Sequence, residues 1–263
     1  MKILISNDDG VRATGINFLN EELSLNHETF VVAPDKERSS CGHGITLGEP
    51  IRLDQIHENI YACSGLPADC ILIGVGQLLK NNKPDLIVSG INHGANLGQD
   101  RYYSGTMAAA REGVLRGIPS IAVSLVTKAI KDVEHYDVAA KIIKILIDHK
   151  VHEHIPKMGL VNVNVPNVAL EKLAGIKITL PGWQDYSEEV IERVDGRGKK
   201  YYWVGGTYRG HHSIDGSDCN AVAENFVSVN LQDVSGSNFI SNHDQQEFEK
   251  EVNKISWEKY LTL

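Results

Sequence analysis

Two adjacent carboxylates, Asp8 and Asp9, stand between Asn7 and Gly10, directly after the apolar run Lys2–Ser6. Adjacent carboxylates repel unless a cation lies between or beside them. All-oxygen ligands suit a hard cation such as Mg²⁺ or Mn²⁺. Open α/β sheets bind ligands beyond the carboxyl ends of their strands, where these four residues fall. Asn, Asp and Gly are also common turn residues, so the four alone read equally as a bare turn. Their position after a strand favours a site.

Three further segments follow apolar runs in the same way. Asp35-Lys36-Glu37-Arg38-Ser39-Ser40 is a polar loop whose serine hydroxyls suit a metal or a phosphate, although most loop serines are simply solvated. In Ser89–Gly98, Asn92 and Asn96 offer amide oxygens to a metal and N–H groups to an oxyanion, and the glycines let backbone approach a ligand closely. His93 lies among them and gets no role, since a lone loop histidine is more often a bystander. Tyr103-Ser104-Gly105-Thr106 leads into an Ala-rich helix, whose capped start and positive dipole end form an anion site or, more plainly, an ordinary N-cap. Together the segments suit metal-assisted hydrolysis of a phosphate ester: the cation shields charge and activates water, and Asp8 or Asp9 orients or deprotonates that water. Direct attack by Asp8 on phosphorus stays open.

The elements that must position these residues alternate. Strands are predicted at Lys2–Ser6, Thr29–Ala33, Asp85–Ser89, Ser120–Leu125 and Leu160–Val165, with a hairpin pair at Ile51–Ile56 and Ile60–Cys63. Helices are predicted around Ile16, Leu19 and Leu23, from Pro67 to about Leu79, over Met107–Leu115 and over Asp137–Ile147, with Gly90–Gly105 as a loop. This alternation predicts an α/β fold: a three-layer, Rossmann-like, mostly parallel sheet. From about 176 the pattern turns to strands at Ile176–Leu180, Glu189–Val194 and Lys200–Val204, read as added antiparallel hairpins. The expected organisation is therefore a catalytic core, 1–175, and a hairpin and C-terminal extension, 176–263, that partly returns to the core. Phe248, Val252, Ile255 and Trp257 share a helical face that must pack on the chain's own body or on a second subunit.

The 263 residues carry a net charge of −8, against a nucleic-acid polymer as main partner. No stretch reaches the ~18 apolar residues of a membrane span. The chain starts directly on a strand, and its four cysteines form no C-x-x-C pair, so a cytoplasmic protein with free thiols is expected. P-loop, dinucleotide-fingerprint, G-x-S-x-G and H-E-x-x-H motifs are missing. His152-Glu153-His154 and His211-His212 read as solvated surface clusters.

The segments M-K-I-L-I-S-N-D-D-G, P-D-K-E-R-S-S, S-G-I-N-H-G-A-N-L-G and Y-S-G-T-M-A-A-A-R-E-G, in this order, resemble those of the SurE (survival protein E) family of nucleotidases. Gly65–Cys70, Leu160–Pro166 and Gly216–Val222 are weaker echoes, so the resemblance spans about 1 to 230. It implies one divalent metal held by Asp8, Asp9, Ser39 and Asn92. It implies substrate contacts from Asn96, Ser104, Gly105 and Thr106, with Asp8, Asp9 and Asn96 as the catalytic set. The implied activity is hydrolysis of nucleoside 5′- and 3′-monophosphates, with some trimming of short polyphosphate, by a homodimer or homotetramer that exchanges C-terminal segments. Leu66 and the Arg38–Gly44 loop depart from the family pattern. Two other readings of the site remain: a haloacid-dehalogenase-type phosphatase, whose D-x-D motif differs from Asp8-Asp9, and a non-catalytic nucleotide or metal sensor.

Overall fold

The computed structural model describes residues 1–127, 133–187, 189–236 and 240–260; residues 261–263 of the expected second half lie outside them. The core is a nine-stranded sheet. Its strands are β1 (Lys2–Ser6), β2 (Glu28–Pro34), β3 (Leu53–His57), β4 (Ile60–Cys63), β5 (Leu86–His93), β6 (Ser120–Val126), β7 (Gly159–Pro166), β8 (Gly175–Ile178) and β13 (Phe226–Asp233), in the order β3-β4-β2-β1-β5-β6-β7-β13-β8. The six strands from β4 to β7 in that order run parallel; β3 and β13 are antiparallel to β4 and β7.

Alternation along β1 shows why the sheet is covered on both faces. Ile3 and Ile5 enter the cluster with Ile16, Leu19 and Leu23 of α1 (Thr14–Ser24) and Ile142 and Leu146 of α4 (Tyr136–Asp148). Leu4 points the other way, among Cys70 and Ile71 of α2 (Pro67–Ile73) and Ala109 of α3 (Gly105–Leu115). Successive strand side chains face opposite sides, so a strand buried on both is continuously apolar. The expected three-layer α/β fold is the one observed, and among the described residues no helix is long and apolar enough to cross a membrane.

Several elements differ from the sequence reading. The helix from Pro67 keeps α geometry only to Ile73 and continues as a π-helical turn, Gly74–Leu78, that carries two glycines. β5 runs on through Gly90 to His93, inside the segment read as loop, because its pairing with β6 shifts register between Ser89 and Asn92. A Cβ at Gly90 would lie 2.3 Å from the Val123 carbonyl oxygen, so only glycine lets β5 pass β6 there. β8 joins the main sheet beside β13, a strand absent from the sequence reading. β9 (Gln184–Tyr186) and β12 (Tyr208–His211) pair antiparallel, as do β10 (Glu189–Val194) and β11 (Lys200–Gly205). A short α5 (Asp218–Ala223) precedes β13. The apolar tail becomes α6 (Asn242–Asn253) and a 3₁₀ turn at Trp257–Tyr260, and Phe248, Val252 and Trp257 bury into the chain's own core.

Candidate functional site

The carboxyl ends of β1 and β5 and the start of α3 meet around Asp8. Asn7 shapes the approach: its side-chain amide donates to the Gly10 carbonyl at 3.0 Å and its Oδ1 accepts from the Gly10 N–H at 3.1 Å. The turn is thus braced by a fully buried side chain, and the two carboxylates that follow β1 leave the sheet in a fixed direction. The bare-turn reading and the site reading describe the same four residues: the turn is what aims the acids.

Asp8 is buried. The Gly105 N–H donates to its Oδ2 at 3.1 Å and the Thr106 hydroxyl donates to its Oδ1. Burial pushes its carboxyl above the ordinary value, and the bonds from Thr106 and Gly105 partly counter this. Helix start and acid are matched in shape as well as charge: a Cβ at Gly105 would lie 2.7 Å from the Asp8 Cβ and 2.9 Å from the Cys41 Sγ. Asp9 accepts from the His93 N–H at 3.0 Å, and burial followed by the neighbouring Asp8 charge pushes it up to about 6.

Asn92 turns its side-chain N–H to the Gly94 carbonyl at 2.9 Å, leaving Oδ1 3.2 Å from the Thr106 Oγ1. Thr106 has one hydroxyl proton, which serves Asp8, so Asn92 Oδ1 faces an oxygen without a proton to share. Ser39 is exposed on the loop after β2, with its hydroxyl donated to Glu37 at 2.7 Å. The loop's backbone is nonetheless tied to the site, since the Arg38 N–H donates to the Asp8 carbonyl at 2.7 Å. Among the described residues no three His, Cys, Asp or Glu gather as a metal cluster. The donor set is instead two carboxylates with neutral amide and hydroxyl oxygens, chemistry that fits one hard divalent cation. A buried carboxylate and a half-buried one beside it, both with raised pKa values, are the groups such a charge would relieve.

A cleft of about 1000 Å³ joins these parts. Asp8, Ser39, Asn92, Asn96 and Ser104 line it from the core, and Tyr186, Glu189 and Val204 from the second half. Ser104 caps α3 by accepting from the Met107 N–H at 3.0 Å. Of the residues expected at the anion site, Ser104 therefore faces the cleft, whereas Gly105 and Thr106 are directed at Asp8. Asn96 is buried with its side-chain N–H on Ser124 at 2.8 Å.

Sequence reasoning gave no role to Asn162 and Asn164. Both side-chain amides of this β7 pair donate to the Asn96 carbonyl, at 2.9 and 3.2 Å, and Asn164 Oδ1 accepts the Asn96 N–H at 2.9 Å. A signal existed: two amides spaced by two within an apolar strand fall on one face, and buried polar side chains need partners. Asp100, which accepts from Gln184 and Tyr186, was also missed; nothing local marks it.

The family model described as Survival protein SurE matches residues 3–188. A protein named 5′-nucleotidase SurE from Geotalea daltonii is 46% identical over 229 residues, 87% of this chain and 91% of its own. A protein of the same name from Vibrio vulnificus is 42% identical over 229 residues, 87% of this chain and 88% of its own. The crystal structure of the SurE protein from Aquifex aeolicus superposes with a TM-score of 0.79 at 37% identity, covering 97% of this chain and all of that one.

Proposed function

The chain belongs to the SurE family, and on that premise we propose that it is a 5′-nucleotidase: a metal-dependent phosphomonoesterase acting on nucleoside 5′- and 3′-monophosphates and on short polyphosphate. The observation that carries this reading is the convergence of Asp8, Asn92 and the start of α3 on one cleft at the carboxyl ends of parallel strands. Asp8, Asp9, Ser39 and Asn92 would hold the cation, Mg²⁺ or Mn²⁺. When bound, it screens the phosphoryl oxygens and makes water more acidic.

The chain's own groups do the rest. Ser104 and Asn96 line the cleft where a phosphoryl group would sit and donate to its oxygens. Gly105 and Thr106 act at the same helix start through Asp8, which they orient. Asp8 or Asp9 aligns the attacking water and takes its proton. Both Asp8 oxygens already accept hydrogen bonds, which favours water over Asp8 as the nucleophile. The exposed apolar side chains of β10 and β11, among them Val190, Trp203 and Val204, suit exchange with a second copy in a homodimer or homotetramer. Four free thiols agree with a cytoplasmic setting.

The test is phosphate release from AMP and GMP with and without Mn²⁺ or Mg²⁺, for the protein and for Asp9→Asn. Metal-dependent release that the substitution abolishes is expected, together with a metal-induced rise in Tm that the variant lacks. A folded protein that releases nothing with either metal overturns the reading and leaves the sensor.

A further inference from the structure

Ser39 is the one expected cation ligand that the main sheet does not support directly. Asp8 and Asp9 follow β1 and Asn92 lies on β5, whereas Ser39 stands on the segment 35–52 between β2 and β3, in which no residue is buried. A loop without a core of its own is loose unless hydrogen bonds hold it. Resting on the metal-dependent phosphatase reading above, we propose that His43, Glu112 and Asp69 are positioning residues. They latch this loop onto α2 and α3 and so set the affinity of the site for its cation, while none of the three lines the cleft.

The ties stand on both sides of Ser39. Before it, the Arg38 side chain donates to the Ser64 carbonyl at 2.6 Å, and the Arg38 N–H to the Asp8 carbonyl at 2.7 Å. After it, the Gly42 N–H donates to the Tyr103 carbonyl at 2.9 Å and the His43 Nε2 donates to Glu112 Oε2 at 3.1 Å. Thr46 then gives its N–H to Asp69 Oδ1 at 3.0 Å and its hydroxyl to Asp69 Oδ2 at 2.6 Å. The two acids divide their oxygens alike. Glu112 Oε1 accepts from Arg116 Nε and Nη2 at 2.7 and 2.6 Å, within α3 and its cap, and Oε2 is left to His43. Asp69 Oδ2 accepts the Leu66 N–H at 2.8 Å at the start of α2, and Oδ1 is left to Thr46. A carboxylate that served only its own helix could do so from the surface. Both are instead buried, which costs stability unless their oxygens are satisfied, and the loop supplies the missing donors. The Ser39 hydroxyl donates its proton to Glu37 at 2.7 Å, which leaves its lone pairs for a cation. A neutral hydroxyl attracts a cation less than a carboxylate does, so its contribution rests on being held in place. Partners behind a metal ligand are typically worth about 10–100-fold in affinity.

Three substitutions test the latch, at positions that are only partly buried, so none opens the core. His43→Leu removes the donor to Glu112, His43→Gln keeps an N–H donor of similar reach, and Thr46→Val removes the hydroxyl bond to Asp69. Mn²⁺ binding is measured by calorimetry, and phosphate release from AMP is followed against Mn²⁺ concentration. His43→Leu and Thr46→Val are each expected to weaken Mn²⁺ binding about tenfold. The Mn²⁺ concentration for half-maximal release should rise by the same factor, with kcat at saturating Mn²⁺ retained. His43→Gln should bind Mn²⁺ as the unaltered protein does, a rescue that general loosening of the fold would not give. Unchanged Mn²⁺ affinity in His43→Leu or Thr46→Val, or a His43→Gln as weak as His43→Leu, overturns the proposal. The failure of the phosphatase reading looks different: the unaltered protein binds Mn²⁺ but releases no phosphate from AMP, and the Mn²⁺ affinities of the variants still decide the latch. An unaltered protein that binds no Mn²⁺ overturns both.

Discussion

Replacing Gly105 by alanine separates the site's chemistry from its stability. An alanine inside a helix is ordinarily worth roughly 0.5–1 kcal/mol over glycine. Here the added methyl would stand 2.7 Å from the Asp8 Cβ and 2.9 Å from both the Asp8 Oδ2 and the Cys41 Sγ. Overpacking of that kind costs about 1–3 kcal/mol. The net loss is then about 0–2.5 kcal/mol, which at about 2–4 °C per kcal/mol for a chain of this size lowers Tm by no more than about 10 °C. The contact that cannot be relieved is with the Asp8 Cβ, because Asp8 follows directly on a buried strand. Asp8 must move by a substantial fraction of an ångström, and misplacing a catalytic group by ~1 Å costs on the order of 10²-fold in rate. Phosphate release should therefore fall about a hundredfold in a protein that remains folded at assay temperature. Gly48→Ala, with nothing within 4 Å of its Cβ, is the control. The assay pairs steady-state release with a thermal melt. Full activity in Gly105→Ala, or activity and Tm lost together by complete unfolding, refutes the close-contact reasoning.

Asn164→Leu removes the acceptor of the Asn96 N–H and one donor to its carbonyl. A buried group left unpaired costs about 1–3 kcal/mol, so denaturant unfolding should register that loss and kcat should fall more than KM rises; a variant with unchanged kcat argues against positioning of Asn96 through β7. Glu112 on α3 gives a pH prediction. Burial works to raise its carboxyl, but hydrogen bonds from His43, at 3.1 Å, and Arg116, at 2.7 Å, more than offset this and leave it below its usual value of 4.5. Its stabilisation is thus fully present above 4.5 and is lost as pH falls through the lower folded value. Melts from pH 6 to 3 should show a steeper acid limb for the protein than for Glu112→Gln, and parallel limbs would contradict the assignment.

The strongest signals in the sequence were local ones. Mostly apolar runs of five or six residues located β1, β5, β6 and β7 because a strand buried on both faces has little freedom in composition. The pairs Asp8-Asp9 and Asn92 with Asn96 could be read because they follow such runs. What stayed hidden was decided by distant partners. β13 alternates Val227 and Val229 with Ser228 and Asn230, yet all four are buried, since Ser228 bonds Thr179 at 2.8 Å and Asn230 bonds the Thr179 carbonyl at 2.5 Å. A half-polar pattern reads as an edge or a hairpin, not as a strand inserted beside β7. The role of Gly105 was equally invisible: as sequence it is one residue of a helix start, and only the fold shows that its missing Cβ is the space Asp8 occupies.

The two acids differ in how the fold supports them, and the difference explains what the site asks for. Asp8 is compensated within the chain: the positive end of α3, the Gly105 N–H and the Thr106 hydroxyl all meet it. Asp9 has the His93 N–H and, against it, the Asp8 charge. Its folded value of about 6 lies above the ordinary carboxylate value of 3.8. As pH rises through that window the unfolded chain loses its proton first, so ionising Asp9 subtracts stability from the fold. A hydrophobic or amide residue at position 9 would be the more stable choice for the fold alone. A second, half-buried acid beside the first is a cost that packing does not explain, and the added charge of a bound cation would offset the desolvation and the repulsion together. If Asp9 holds the proposed cation, the stability lost there is recovered on binding.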